Sequence, residues 1–212
     1  MRTTSICILL GLLLASCGGG GGGDGDPDRQ VAVASEANLD GYLVEDGSGG
    51  WRWQPGYARP TTGERFWDGD YEECRQFFTF DLDAIPAGAT IDRATLRLYQ
   101  YDVEGDPYGT LGDVVVDHVF FDEVIRLAYF DGQTLDRNLG TVSTEASLGY
   151  RDVIVTSAVR RDLGDGRERS QFRVRFDVPA ITVIDGRSDY VCFTDADGAA
   201  GDTMRPPMLV VE

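Results

Sequence analysis

Residues 170–178 read SQFRVRFDV, and Phe172, Val174, Phe176 and Val178 alternate with Gln171, Arg173, Arg175 and Asp177. Successive side chains of a strand point to opposite faces, so this period of two predicts a half-buried β-strand. The same pattern spreads outward along the chain. Residues 93–103, RATLRLYQYDV, set Ala94, Leu96 and Leu98 on one face and Thr95, Arg97, Tyr99 and Tyr101 on the other. RQFFTFDL (75–82) aligns Phe78, Phe80 and Leu82, and further strands are predicted at 40–46, 113–121, 150–156, 189–195 and 207–212. Turn clusters separate them: PAGA at 86–89, EGDPYGTLGD at 104–113, DGRSD at 185–189 and DADGAAGD at 195–202. Only TSAVRRDLGDG (156–166) reads as helical, with Thr156 or Ser157 as N-cap and Gly164 as the stop. Many short strands with this punctuation, and no internal repeat, predict one all-β domain: an antiparallel β-sandwich with one short helix over residues 31–212.

The front of the chain is built differently. Arg2 precedes an apolar run from Ile6 to Leu14, followed by LLLASCGGGGGGDGDPD at 12–28. The run is shorter than the ~20 apolar residues that a membrane-spanning helix needs, and has the size of a signal-peptide core. Leu14-Ala15-Ser16-Cys17 resembles the lipobox of bacterial lipoproteins. That resemblance implies cleavage after residue 16, a lipidated Cys17, and a protein held in the bacterial cell envelope, facing the periplasm or the cell surface. Residues 17–30 cannot bury enough surface to offset chain entropy and read as a disordered linker. A Gly-rich leash of that length has an r.m.s. span of roughly 20 Å. The Asp24-x-Asp26-x-Asp28 spacing departs from a calcium-binding EF-hand loop, because the sixth position is Arg29 where glycine belongs.

Composition narrows the function. Thirty-six acidic residues against 19 basic ones give a formal charge of −17, a strongly acidic protein that repels nucleic acid and anionic lipid at long range. Every basic residue is arginine, so Schiff-base and phosphate-loop lysines are excluded. The lone histidine, His118, sits within a strand-like run and reads as structural. Cys7 leaves with the leader and Cys17 takes lipid, which leaves Cys74 and Cys192 as a disulfide candidate in an oxidising compartment.

The stretch RQFFTFDLDAIPAGATIDRATLRLYQY (75–101), with VVVDHVFF (114–121), LGYRDVIVTSAVRRDLGDGRERSQFRVRF (148–176) and PPMLVV (206–211), carries a family likeness. Taken in order, these blocks resemble the DNRLRE-type domains, also classed as carbohydrate-binding module family 96. The resemblance implies a jelly-roll sandwich that binds polysaccharide, alginate included, usually beside a separate catalytic domain. The hexapeptide that names the family does not occur here, and residues 131–159 replace the tryptophan-rich segment of many members.

Candidate ligand contacts cluster in residues 49–74, GGWRWQPGYARPTTGERFWDGDYEEC. Trp51 and Trp53 fall on one side of an extended segment, with Arg52 on the other. Such rings stack on sugar C–H faces or else cap a sandwich core; Trp67 and Tyr71 carry the same two readings. Arg173 and Arg175, with Arg97, form an arginine stripe that suits uronic-acid carboxylates or is a solvated strand face. A neutral glycan fits the acidic body better than alginate does. No cofactor is required by any motif; Asp40, Glu45 and Asp46 in one loop, and Asp195, Asp197 and Asp202 in another, are candidate oxygen ligands for a structural Ca²⁺, or plain turns. No H-E-x-x-H or G-x-S-x-G motif appears. The expected function is therefore non-catalytic glycan binding by a membrane-tethered module. An envelope structural or adhesion role on protein partners is the alternative, and a polysaccharide-degrading enzyme comes third.

Overall fold

A computed structural model describes residues 30–46, 48–55, 59–121, 125–132, 134–178, 186–196 and 205–212. The leader, Cys17, the linker, Asp197 and Asp202 lie outside the described residues. The strands in chain order are β1 (Val31–Ala34), β2 (Gly41–Asp46), β3 (Trp51–Pro55), β4 (Thr62–Trp67), β5 (Asp70–Asp81) and β6 (Ala94–Glu104). After these come β7 (Val114–Val119), β8 (Thr134–Ser143), β9 (Gly149–Ile154), β10 (Arg169–Phe176), β11 (Asp189–Phe193) and β12 (Met208–Val211). Three short helices interrupt them: α1 (Pro107–Thr110), α2 (Ala128–Asp131) and α3 (Thr156–Gly164). Among the described residues every strand pairing is antiparallel.

Two long strands organise the sheet. Cys74 of β5 faces Val44 of β2 on one edge and Gly63 of β4 on the other, while Gln76 faces Tyr42 of β2 and Val174 of β10. One edge of β5 is thus handed from β4 to β10 at Arg75. Strand β6 does the same, with β9 along one edge and β12 followed by β11 along the other. The hydrogen-bonded network is continuous through all twelve strands, yet it folds back on itself. Phe78, Phe80, Phe172 and Val174 of β5 and β10 share one core cluster with Leu96, Leu98, Val153 and Leu209 of β6, β9 and β12, to which they are not paired. That face-to-face burial makes the sandwich, each large apolar side chain contributing about 1.5–3 kcal/mol on removal from water. Helix α3 spans the two layers, contacting β10 and β6. Its start differs from the cap expected from sequence. Val155 is the N-cap without a side-chain bond, and the Thr156 hydroxyl accepts instead from Ala94 N at 3.0 Å, spending its oxygen on the head of β6.

The arginine stripe of β10 reads from sequence as a face for ligand or water, and here the structure corrects the sequence reading; that face is shared with β5 and β7. Residues around α2 lie over it, and Leu43, Phe77, Val119, Phe121, Ile125, Tyr129 and Phe130 make a second apolar cluster. Arg173 and Arg175, at 0% and 8% exposure, are buried beneath this cover rather than forming a surface stripe. Arg97 does not join them; it lies on β6, exposed and bidentate to Asp152 of β9.

The disulfide expected between Cys74 and Cys192 is absent, and both are buried free thiols. Their strands, β5 and β11, flank β4 on opposite sides. Two strand spacings are about 9–10 Å, beyond the ~7 Å that a disulfide tolerates between Cα atoms.

Candidate functional site

Residues 49–74, read from sequence as one contact loop, fold into β3, β4 and the start of β5. The hairpin between β4 and β5 is closed by Asp68-Gly69, with φ of 52° and 91°. Left-handed backbone at both central positions suits the two-residue turns that match strand twist, and Trp67 faces Asp70 directly across it. The turn lifts Trp67 into solvent at 66% exposure. Beside it a groove of about 500 Å³ is walled by Trp67, Phe66 and Arg65 on one side and Arg59, Tyr190 and Glu104 on the other, with Ser188 and Thr61 between.

Each wall is braced. The Phe66 ring packs on Tyr71 at 4.9 Å, and Phe66 N donates to the Ser188 hydroxyl at 3.0 Å. The Tyr71 hydroxyl accepts from Gly186 N, so Tyr71 supports the groove from behind. Arg59 sits over the Tyr190 ring, 5.6 Å from its centroid. Its guanidinium is also committed to Asp102, through Nε at 2.9 Å and through Nη2, with Glu104 3.9 Å away. The hydrogen bond to Asp102 raises the Arg59 pKa above its ordinary value. Arg65 donates to the Tyr42 hydroxyl at 3.2 Å and lies 3.9 Å from Glu72, which also takes Arg52. Cys192 lies near Arg59 and Asp102, and burial pushes its thiol up to about 12. An exposed indole, a tyrosine ring and held polar groups around an open groove can stack a sugar ring and bond its hydroxyls.

The other predicted residues are scattered. Trp51 is 47% exposed at the start of β3, whereas Trp53 packs edge-on to Phe77 at 6.2 Å and against the second apolar cluster. The two do not form a platform. Arg52 is consumed by Glu72. Beneath α2, Asp117 binds Arg173 at 2.6 Å and Arg175 at 2.8 Å. Burial alone would push the Asp117 carboxyl up, but the two guanidiniums and Asn138 N outweigh it and hold its pKa below the ordinary value. Arg173 also donates to the Tyr129 and Phe130 carbonyls, and Arg75 lies 4.0 Å from the Phe130 ring centroid. These arginines hold the cover down.

His118 is structural in its contacts: Nε2 lies 2.8 Å from Asp162, which also accepts from Ser170 and Arg167. Serine and histidine both address the carboxylate, and among the described residues no serine hydroxyl bonds the His118 ring as in a catalytic triad. Glu64 and Glu73 face each other across β4 and β5 and line a cavity of about 20 Å³, the size for one water. Burial raises the Glu73 pKa.

Of the calcium candidates, the structure unites Asp40 and Asp195 from different loops. Both are buried, and Asp40 accepts from Thr79 N at 3.0 Å and Ala196 N at 3.3 Å. Burial pushes the Asp40 carboxyl well above its usual range, and nearby Asp195 adds to the rise. Asp46 spends its carboxylate locally on Ser48 and Gly50, while Glu45 lies opposite Glu73. Among the described residues no group of three or more acidic, histidine or cysteine side chains is placed to hold a metal.

Arg59, Arg65, Glu104, Ser188 and Tyr190 are groove residues that the sequence reading did not single out. Compared with known proteins, the chain matches no family model, and no curated protein matches it.

Proposed function

We propose that the protein is a non-catalytic glycan-binding module, tethered to the bacterial envelope by a lipid on Cys17, and that it binds polysaccharide in the Trp67 groove. The observation that supports this reading is an indole left 66% exposed at the rim of an open, aromatic and polar groove. An exposed ring that stands beside convergent polar groups at a groove has the make-up of a ligand contact. Affinity electrophoresis of the full chain against a polysaccharide panel tests it. Retardation by at least one glycan is expected, abolished by Trp67→Ala and unchanged by Trp51→Ala. Running each lane with calcium and with chelator separates a structural Ca²⁺ at Asp40 and Asp195 from direct binding. Loss of retardation in Trp51→Ala but not Trp67→Ala would move the site.

A second reading, an envelope protein that contacts other proteins, draws on a different surface. Leu148, Tyr150 and Ile154 are exposed on or beside β9, and apolar side chains grouped in this way mark contact sites on other proteins.

A further inference from the structure

Resting on that reading of the groove, we propose that it selects uncharged glycan chains, with Asp102 and Glu104 holding Arg59 back from the carboxylates of a polyuronate. The argument is one of local charge. Two guanidiniums line the groove, and guanidinium forks are the natural receptors for uronate carboxylates. Both are engaged by protein groups. Arg59 gives Nε and Nη2 to Asp102, and Glu104 stands 3.9 Å from Nη2. Arg65 is turned to the Tyr42 hydroxyl and to Glu72, which Arg52 also binds. The rim adds negative charge, because Asp68 and Asp70 flank Trp67 and both are exposed.

A polyuronate entering the groove could reach only the outward N–H groups of Arg59, and would bring its own like charge against Asp102 and Glu104 to do so. A neutral chain meets no such cost. Its hydroxyls can accept from the outward N–H groups of Arg59 and exchange hydrogen bonds with Ser188 and Glu104, while its C–H faces stack on the exposed Trp67. The overall charge of −17 acts in the same direction at low salt, but in about 0.15 M salt fields fade beyond ~8 Å. The carboxylates at the groove are then what discriminates.

The test is affinity electrophoresis of the full chain in about 0.15 M salt. Gels carry neutral polysaccharides (β-glucan, mannan, xylan) or polyuronates (alginate, polygalacturonate), run with wild type, Trp67→Ala, Glu104→Gln and Asp102→Asn/Glu104→Gln. Wild type should be retarded by a neutral polymer at least tenfold more strongly than by either polyuronate, and higher salt should leave the neutral binding unchanged. The double variant should gain polyuronate retardation that salt abolishes. Glu104→Gln alters only an exposed side chain and should gain in the same direction, which covers a double variant that fails to fold. Wild type retarded as strongly by a polyuronate, in a way that Trp67→Ala abolishes, would leave the site standing and overturn the charge selection. Folded variants that gain nothing would also overturn it. No retardation of wild type by any polymer would sink the glycan reading itself.

Discussion

Asp117 shows how much one side chain can decide. It lies beneath the α2 cover, its carboxylate shared between Arg173 and Arg175. Replacing it with alanine would leave Arg173, fully buried, without its anion, a loss of about 3–5 kcal/mol. Urea unfolding at neutral pH measures this, and Arg173→Met/Arg175→Met/Asp117→Leu should recover much of it, because a matched apolar set carries no stranded charge. The pH dependence has a definite sign. The folded-state pKa of Asp117 is depressed, so its contribution is fully present above the unfolded carboxylate value of about 3.9. It is lost as pH falls through the depressed folded value. In urea melts from pH 6 to pH 2, Asp117→Asn should lack that acid limb. Both arginines were legible as polar positions of an alternating strand. Their burial was not, because alternation says which residues share a face and is silent on what covers it.

At the scale of elements, β4 is the joint of the molecule. It pairs with β11 on one edge and β5 on the other, and so carries the hydrogen bonding from one layer to the next. Gly63, its second residue, has φ of +125°, and an added Cβ would fall 2.5 Å from the Asp189 carbonyl oxygen. Gly63→Ala therefore faces both a backbone that L residues avoid and a clash with main chain that cannot rotate away. Thermal unfolding should show a loss of at least about 2 kcal/mol, and Gly69→Ala at the hairpin tip, with nothing within 4 Å of its Cβ, should lose less. The β4–β5 hairpin could have been read from Trp67-Asp68-Gly69-Asp70, since Asp-Gly between paired runs is a strong turn signal. Strand β8 offered less. Its exposed positions dominate, and its pairing with β7 slips at several residues, so no clean alternation runs through 134–143.

For the whole molecule, stability rests on the sandwich core without a covalent staple. Cys74 and Cys192 are free and buried, and burial pushes the Cys192 thiol up to about 12. Dithiothreitol should leave the melting temperature unchanged. A thiol reagent should modify these two cysteines only after denaturant unfolds the chain. Rapid modification of the native protein, or a melting temperature that falls on reduction, would contradict this arrangement. The groove is likewise a product of the whole fold: Arg65, Trp67, Glu104 and Tyr190 come from β4, β6 and β11, and no local segment contains them.

By itself the sequence determined the class of fold. Period-two alternation in 75–82, 93–103 and 170–178 reports local geometry, since each strand carries its own inside and outside. It also determined the acidity of the protein and the absence of lysine chemistry. The tertiary structure alone decided which exposed aromatic stands beside which arginine, which arginines are buried, and that Cys74 and Cys192 are parted by β4. Those outcomes depend on strand order and on what packs over the outer faces. Residues such as Gly63 and Tyr190 meet across 127 positions of chain, and periodicity within a strand carries no information about its neighbours.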